Sequence, residues 1–270
     1  MSEPEDATPV PVSLSTTCAY PDGTTTGFEM ARDLGFDGVE VMVGLDPLAE
    51  DVDAVERLRD HFQVPVVSVH APCLLVTQDV WGKDPWGKLH RSAEAARQLD
   101  ADTVVVHPPF RWQGRYGTDF VEGIARLNAE TGIKFCVENM YPWRVPATKR
   151  EFKAYLPHWD PSERDYEFLT LDLSHASTAG QQSVELARAW GSRLEHLHLT
   201  DGRGSFADEH LAPGEGDQQA ELVLAELAEA GFTGHIVLEI STRGLSREDR
   251  GEKLLAARDF TRSHFRPRAS

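Results

Sequence analysis

Six residues able to bind a metal or move a proton recur along the chain at intervals on the order of 30 residues, the length of one βα unit: His70, His107, Glu138, Asp172, His198 and Glu239. Each closes, or lies next to the end of, a short run of strand-forming residues, β-branched before His70, His107 and Glu239 and leucine-rich before Asp172 and His198. Imidazole nitrogen and carboxylate oxygen without thiolate are the donors of zinc, manganese, cobalt or iron sites. Three further residues extend the set. Asp172-Leu-Ser-His175 places a second group one turn beyond a strand end. Asp208-Glu-His210 puts two donors at i and i+2, on one side of an extended loop. The turn-rich Pro213-Gly-Glu-Gly216 that follows can fold this loop over the site. Asp201 is read as a ligand or as an acceptor that holds an imidazole.

The remaining candidates carry plainer readings. His196 shares a strand face with His198 and is read as a barrel-layer histidine. His61, His90, His158, His235 and His264 are assigned to helices, element edges and surface. Glu40 fits a substrate contact and a structural carboxylate equally. Cys18, Cys73 and Cys136 form no CxxC pair, and are read as small apolar fillers.

Strands are expected at Val12–Thr17, Gly38–Val43, Val66–His70, Thr103–His107, Lys134–Glu138, Phe168–Asp172, Leu194–Leu199 and Ile236–Ile240. Amphipathic helices are expected between them, at Thr25–Leu34, Val52–Phe62, Trp86–Leu99, Phe120–Thr131, Ser183–Trp190 and Gln218–Ala230. Leu34-Gly-Phe36, Thr131-Gly-Ile133 and Ala230-Gly-Phe232 read as helix ends closed by glycine. Eight βα repeats predict an α/β fold, a single (β/α)8 TIM barrel over 11–265 preceded by a short acidic tail at 1–10; a doubly wound open sheet is the alternative. In such a barrel the chemistry sits at the C-terminal ends of the strands, where the six residues fall. The segment 139–166, long and rich in aromatic residues and proline, is expected to form a lid or pocket wall.

Composition narrows the function. The 270 residues carry 27 basic and 44 acidic side chains, a net charge of −17, which leaves no electrostatic footprint for nucleic acid. The apolar runs are strand-sized and too short for a membrane span. The acidic start Met1-Ser-Glu-Pro-Glu-Asp lacks the apolar stretch of a secretory signal, and with three cysteines a reducing cytoplasm is the expected compartment.

Ser68-Val-His-Ala-Pro72, Val105-Val-His-Pro108, Val137-Glu-Asn139, Leu171-Asp-Leu-Ser-His175, His198-Leu-Thr-Asp201 and Leu238-Glu-Ile240 resemble the motifs of the xylose-isomerase-like TIM barrel superfamily. That group includes sugar and sugar-phosphate isomerases and epimerases, and endonuclease IV (AP endonuclease family 2). The resemblance covers nearly the whole chain. Toward the isomerases it implies one divalent metal (manganese, cobalt or zinc) on Glu138, Asp172, His198 and Glu239. The metal would stabilise an enediolate while Glu138 and Glu239 remove and return a proton, and His175 would hold a substrate hydroxyl. Toward endonuclease IV it implies three zinc ions on His70, His107, Glu138, Asp172, His175, His198, Asp208, His210 and Glu239, cleaving a phosphodiester. The loop that would meet DNA is here Gly44–Asp53, with four carboxylates and no base, which phosphates would repel. The isomerase or epimerase reading is therefore preferred, with a small polyhydroxy or phosphorylated substrate. Arg203, Trp112 and Trp143 are expected to bind it. Arg111, Arg115, Arg144, Lys149, Arg150 and Arg203 are expected to form a basic rim for one or two phosphates. A barrel that has lost catalysis is disfavoured by the complete ligand set.

Overall fold

Parallel strands close into a ring: β1 (Ser13–Ser15), β2 (Gly38–Met42), β3 (Val66–His70), β4 (Thr103–Val106), β5 (Lys134–Glu138), β6 (Phe168–Asp172), β7 (Leu194–Leu199) and β8 (His235–Leu238). Each pairs with the next and β8 pairs with β1, which excludes the open sheet. The computed structural model describes residues 10–44, 46–145 and 150–266, without the side chains of Val145 and Arg150. All but one residue of the acidic tail, and Lys149, lie outside the described residues.

The strands form where the sequence stacks β-branched residues that are buried on both faces, as in Thr103-Val-Val-Val106. Helices cover the ring. Asp51 caps Val52–Phe62 by accepting from Ala54 N, and Asp84 caps Pro85–Gln98, which carries proline in its first turn. Gly35, Gly132 and Gly231 adopt φ of 67°, 70° and 71°, the left-handed helix ends expected of them. The helix Arg247–His264 was not among the helical stretches read from the sequence. Its buried face is Arg250, Leu254, Ala257 and Thr261, too poor in large apolar residues to give a clear period. Among the described residues no helix is long and apolar enough to cross a membrane.

Several strands end earlier than expected. β4 stops at Val106 and β8 at Leu238, so His107 and Glu239 sit just past the ladder, on the first residues of their loops. After β1 the chain turns at once into a 3-10 turn, Thr16–Ala19, capped by Ser15. The register brings the site to one level: Asp172 pairs with His198, and His198 with Val237.

Within 139–166 an antiparallel hairpin pairs Trp143–Val145 with Arg150–Phe152. Beside it a second small core gathers Phe110, Met140, Ala154 and Tyr155, with Trp143 and Trp159 packed against them.

The loop after β7 is braced by Asp201. Its Oδ1 accepts from Gly202 N (2.9 Å) and Gln218 N (3.1 Å), and its Oδ2 from Gly214 N (3.0 Å). Asp201 is therefore neither a metal ligand nor an imidazole acceptor. Gly216 lies against this brace, where a Cβ would overlap Asp201 Oδ1 and Gly202 O. Gly216→Ala is expected to destabilise the chain by about 1–3 kcal/mol, since neither neighbour can yield. Thermal unfolding measures it, and an unchanged midpoint would show that the loop relaxes freely.

Candidate metal centre

The side chains around the barrel mouth are oriented by bonds that leave one atom of each aimed at a common centre. His70 Nδ1 donates to Ala71 O (3.1 Å), His175 Nδ1 to Asn139 O (2.9 Å) and His210 Nδ1 to Glu239 O (2.7 Å). A carbonyl can only accept, so these protons sit on Nδ1; His70 Nε2 then faces Glu138 Oε2, while His175 Nε2 (3.1 Å) and His210 Nε2 (2.9 Å) both meet Asp208 Oδ2. His198 is reversed: its Nε2 bonds Glu40 Oε1 (3.0 Å), and its Nδ1 faces Glu138 Oε1 (3.0 Å) and Glu239 Oε2 (3.0 Å).

Asp172 divides its two oxygens. Oδ1 caps the helix Leu173–Ala179 by accepting from His175 N (2.8 Å), and also accepts from Thr200 Oγ1 (3.2 Å). Oδ2 is buried without a hydrogen bond, 3.7 Å from His198 Nδ1. Glu138 Oε2 is likewise buried and unbonded: His107 Nε2 is 2.9 Å away and His70 Nε2 3.4 Å, but neither is aligned to donate. Two unsatisfied buried carboxylate oxygens cost several kcal/mol unless a cation meets them. Donor atoms of Glu138, Asp172, His198 and Glu239 lie within 4.8 Å of one another, as do those of His70, His107 and Glu138, and of Asp172, His175 and His210. The residues thus fit a divalent cation.

Charge follows the same lines. Burial would raise Glu138, but the imidazoles of His198, His107 and His175 hold it well below the usual carboxylate range. Burial prevails at Asp172, which is raised. Burial would lower His198, His175 and His210, yet the facing carboxylates outweigh it; Asp208, chief among them at His210, lifts that residue to about 10. His107 is lowered, since burial exceeds the pull of Glu138. An incoming cation displaces the protons of the raised imidazoles, so its binding strengthens as pH rises.

Above the quartet opens a cavity of about 770 Å³ lined by Met140, Tyr141, Trp143 and Tyr155 on one side and by His70, His107, His175, Asp208, His210 and Glu239 at its floor. Of the residues expected to bind substrate, Trp143 lines it. Trp112 does not: it stacks on Phe110 at 4.7 Å, half exposed, 6.0 Å from Trp143. Arg203 is also off the wall, its Nε donating to Glu215 O (3.1 Å). The arginine on the wall is Arg243, in the loop after β8, its guanidinium 4.8 Å over the Tyr20 ring. Among the described residues the basic rim does not assemble: Arg144 is spent on Thr178 O (2.8 Å) and Glu151 (3.3 Å), and Arg115 lies near Asp119 (3.9 Å); Lys149 and the Arg150 side chain lie outside the described residues. Position four past Glu239, on the face where barrels keep their chemistry, was the signal that could have found Arg243.

Glu40 resolves as a structural carboxylate. It is fully buried, bonds His198, accepts from Ser68 Oγ (2.8 Å) and lies 3.0 Å from His196 Nε2. His196 is a buried barrel-layer residue, as expected, although neither ring nitrogen makes an aligned hydrogen bond. Glu40→Gln should leave the fold intact and weaken divalent-cation binding about 10–100-fold, the usual cost of freeing a ligating imidazole. Unchanged affinity in a calorimetric titration would show that Glu40 does not set the His198 ring. His210 adds a local strain: its φ is 44°, held by Ser174 Oγ on its N–H (3.0 Å) and by Ser241 N on its carbonyl (2.7 Å). Asp208 is fixed in turn by Ser174 Oγ (2.7 Å).

A closed (β/α)8 barrel with a carboxylate–imidazole centre at the C-terminal mouth defines the class, and the chain belongs to the xylose isomerase-like TIM barrel family, whose profile matches residues 28–264. It is 45% identical over 274 residues to an uncharacterized protein of Mycobacterium tuberculosis, covering 95% of this chain and 98% of that one. A fructoselysine 3-epimerase of Escherichia coli O157:H7 is 20% identical over 237 residues, with 80% and 84% covered. Solved structures of the same fold include a D-tagatose 3-epimerase-like protein (TM-score 0.67, 22% identity, 93% and 97% covered). They also include an AP endonuclease, family 2, of Brucella melitensis (TM-score 0.65, 18% identity, 87% and 95% covered).

Proposed function

We propose that the protein is a divalent-metal-dependent isomerase or epimerase of a small polyhydroxy substrate. The observation that carries this reading is the cavity: about 770 Å³ over the quartet, walled by aromatic rings, sized for a small molecule. Epimerases among its relatives support it. Manganese, cobalt or zinc would be held by Glu138, Asp172, His198 and Glu239, and would supply the polarisation of a substrate carbonyl that acidifies the neighbouring C–H.

Glu239 is the carboxylate best set to take that proton. It is 8% exposed on the cavity floor, its Oε1 accepts from Thr17 Oγ1 (3.4 Å), and burial is overcome by His198, which holds it ionised. Glu138 was expected to be the second proton carrier, yet each of its oxygens faces two imidazoles. Glu138 itself also lines the cavity, and His107, whose Nε2 stands 2.9 Å from Oε2, would have to turn to pass a proton between Glu138 and the substrate. Tyr141 packs on His175 at 5.1 Å and walls that side of the cavity.

The reading is tested by incubating the manganese-loaded protein in deuterium oxide with a panel of aldoses and ketoses, followed by proton NMR. Deuterium should enter at the C–H beside the carbonyl of at least one sugar as it is converted. No exchange across the panel, with hydrolysis of a chromogenic phosphodiester instead, would overturn it. That second reading, a phosphoesterase with up to three zinc ions, is favoured by one observation: of the four donor groups, the quartet is joined to the His70–His107 group through Glu138 and to the His175–His210 group through Asp172.

A further inference from the structure

Beside the metal cavity lies a second one of about 410 Å³, sharing Leu74, His107 and Phe110 with it. Its wall mixes apolar residues with polar ones, among them Gln78, Asp79, Lys83 and Gln113, and one of its charged groups is buried. Lys88, in the helix Pro85–Gln98, is only 8% exposed. Its ammonium donates to Thr77 O (3.0 Å) and Gln78 O (2.6 Å). An ammonium has three protons, and among the described residues no carboxylate lies within 4.0 Å of this one. Cys73, on the same wall, does not balance it, because burial pushes the thiol up to about 12 and keeps it neutral. Asp79 and Lys83 stand 3.9 Å apart at the rim, both close to fully exposed; Asp79 also pulls on the Lys88 ammonium, but too weakly to outweigh the burial that lowers it. A buried cation without a counter-ion is costly, and a cavity at its side is where an anion would lower that cost.

We propose that this side cavity binds a phosphate group at Lys88, so that the substrate is a phosphate monoester whose polyol end reaches the metal cavity past His107. The substrate assignment rests on the isomerase or epimerase reading; the anion site does not. Carboxylate chemistry would also answer an ammonium, but a cavity of this size exceeds what a carboxylate fills, and a phosphate can take the third proton with oxygens to spare.

Calorimetric titration of the full chain with inorganic phosphate, and separately with acetate, tests it without turnover. Phosphate should bind the parent and Lys88→Arg similarly, and acetate more weakly. Lys88→Met should lose at least about tenfold, one charge-assisted hydrogen bond. Because Lys88→Met strands two carbonyls and can unfold, Gln78→Glu is the second variant: it sets a carboxylate from an exposed position beside the ammonium and should weaken phosphate likewise. Equal phosphate binding in the parent and Gln78→Glu would place the anion elsewhere, at the metal centre for instance, and overturn the proposal. So would no binding by the parent, or tighter binding of acetate. Deuterium exchange on unphosphorylated sugars can succeed while this titration fails, or the reverse, so the two failures are distinguishable.

Discussion

Glu239→Gln is expected to abolish turnover, by about 10³-fold or more, and to weaken divalent-cation binding at least about 10-fold. The substitution keeps the volume of a side chain that is almost wholly buried. It removes the charge that Oε2 presents 3.0 Å from His198 Nδ1, and the base at the cavity floor. Steady-state kinetics with the substrate found by deuterium exchange, together with manganese titration, measure both losses. Parental metal affinity and turnover in Glu239→Gln would remove Glu239 from the centre altogether.

His107→Ala is expected to lower kcat by about 10²–10³-fold while leaving one tightly bound cation per chain. His107 touches Glu138 Oε2 but belongs to no group containing Asp172, His198 or Glu239. The quartet should therefore hold its metal without it. The neutral imidazole that relays the proton is lost, so the pH profile of kcat should change shape and not only height. Loss of a metal ion from this variant, together with loss of phosphoester cleavage, would instead make His107 a ligand of a hydrolytic centre.

The donors of the centre were legible in the sequence because a parallel barrel sends its strand ends to one face, and the strands that carry them are marked by short apolar runs, β-branched in β3, β4 and β8, mixed in β5 and leucine-rich in β6 and β7. Asp172 and His198 pair directly in the register, as their positions at successive strand ends imply. Other features depend on closure. Glu40 meets His198 only across the ring, beside a register shift at Val39/Glu40 that no local pattern announces. Asp201 looks like a ligand by spacing, but is consumed by three backbone N–H groups of its own loop. Arg203 and Trp112 have the residue types of substrate contacts near the mouth, and type does not say which way a loop turns. Lys88 sits at the first turn of an amphipathic helix, where a lysine reads as surface; the loop folded over it takes up its ammonium.

The central claim is that Glu138, Asp172, His198 and Glu239 hold one divalent cation beneath a small-molecule cavity. Anomalous diffraction from crystals of the manganese-loaded protein tests it most directly. One dominant peak is expected among those four side chains, with weak or no density at the His70–His107 and His175–His210 positions. No peak within the quartet, or three peaks of equal height shared through Glu138 and Asp172, would contradict it.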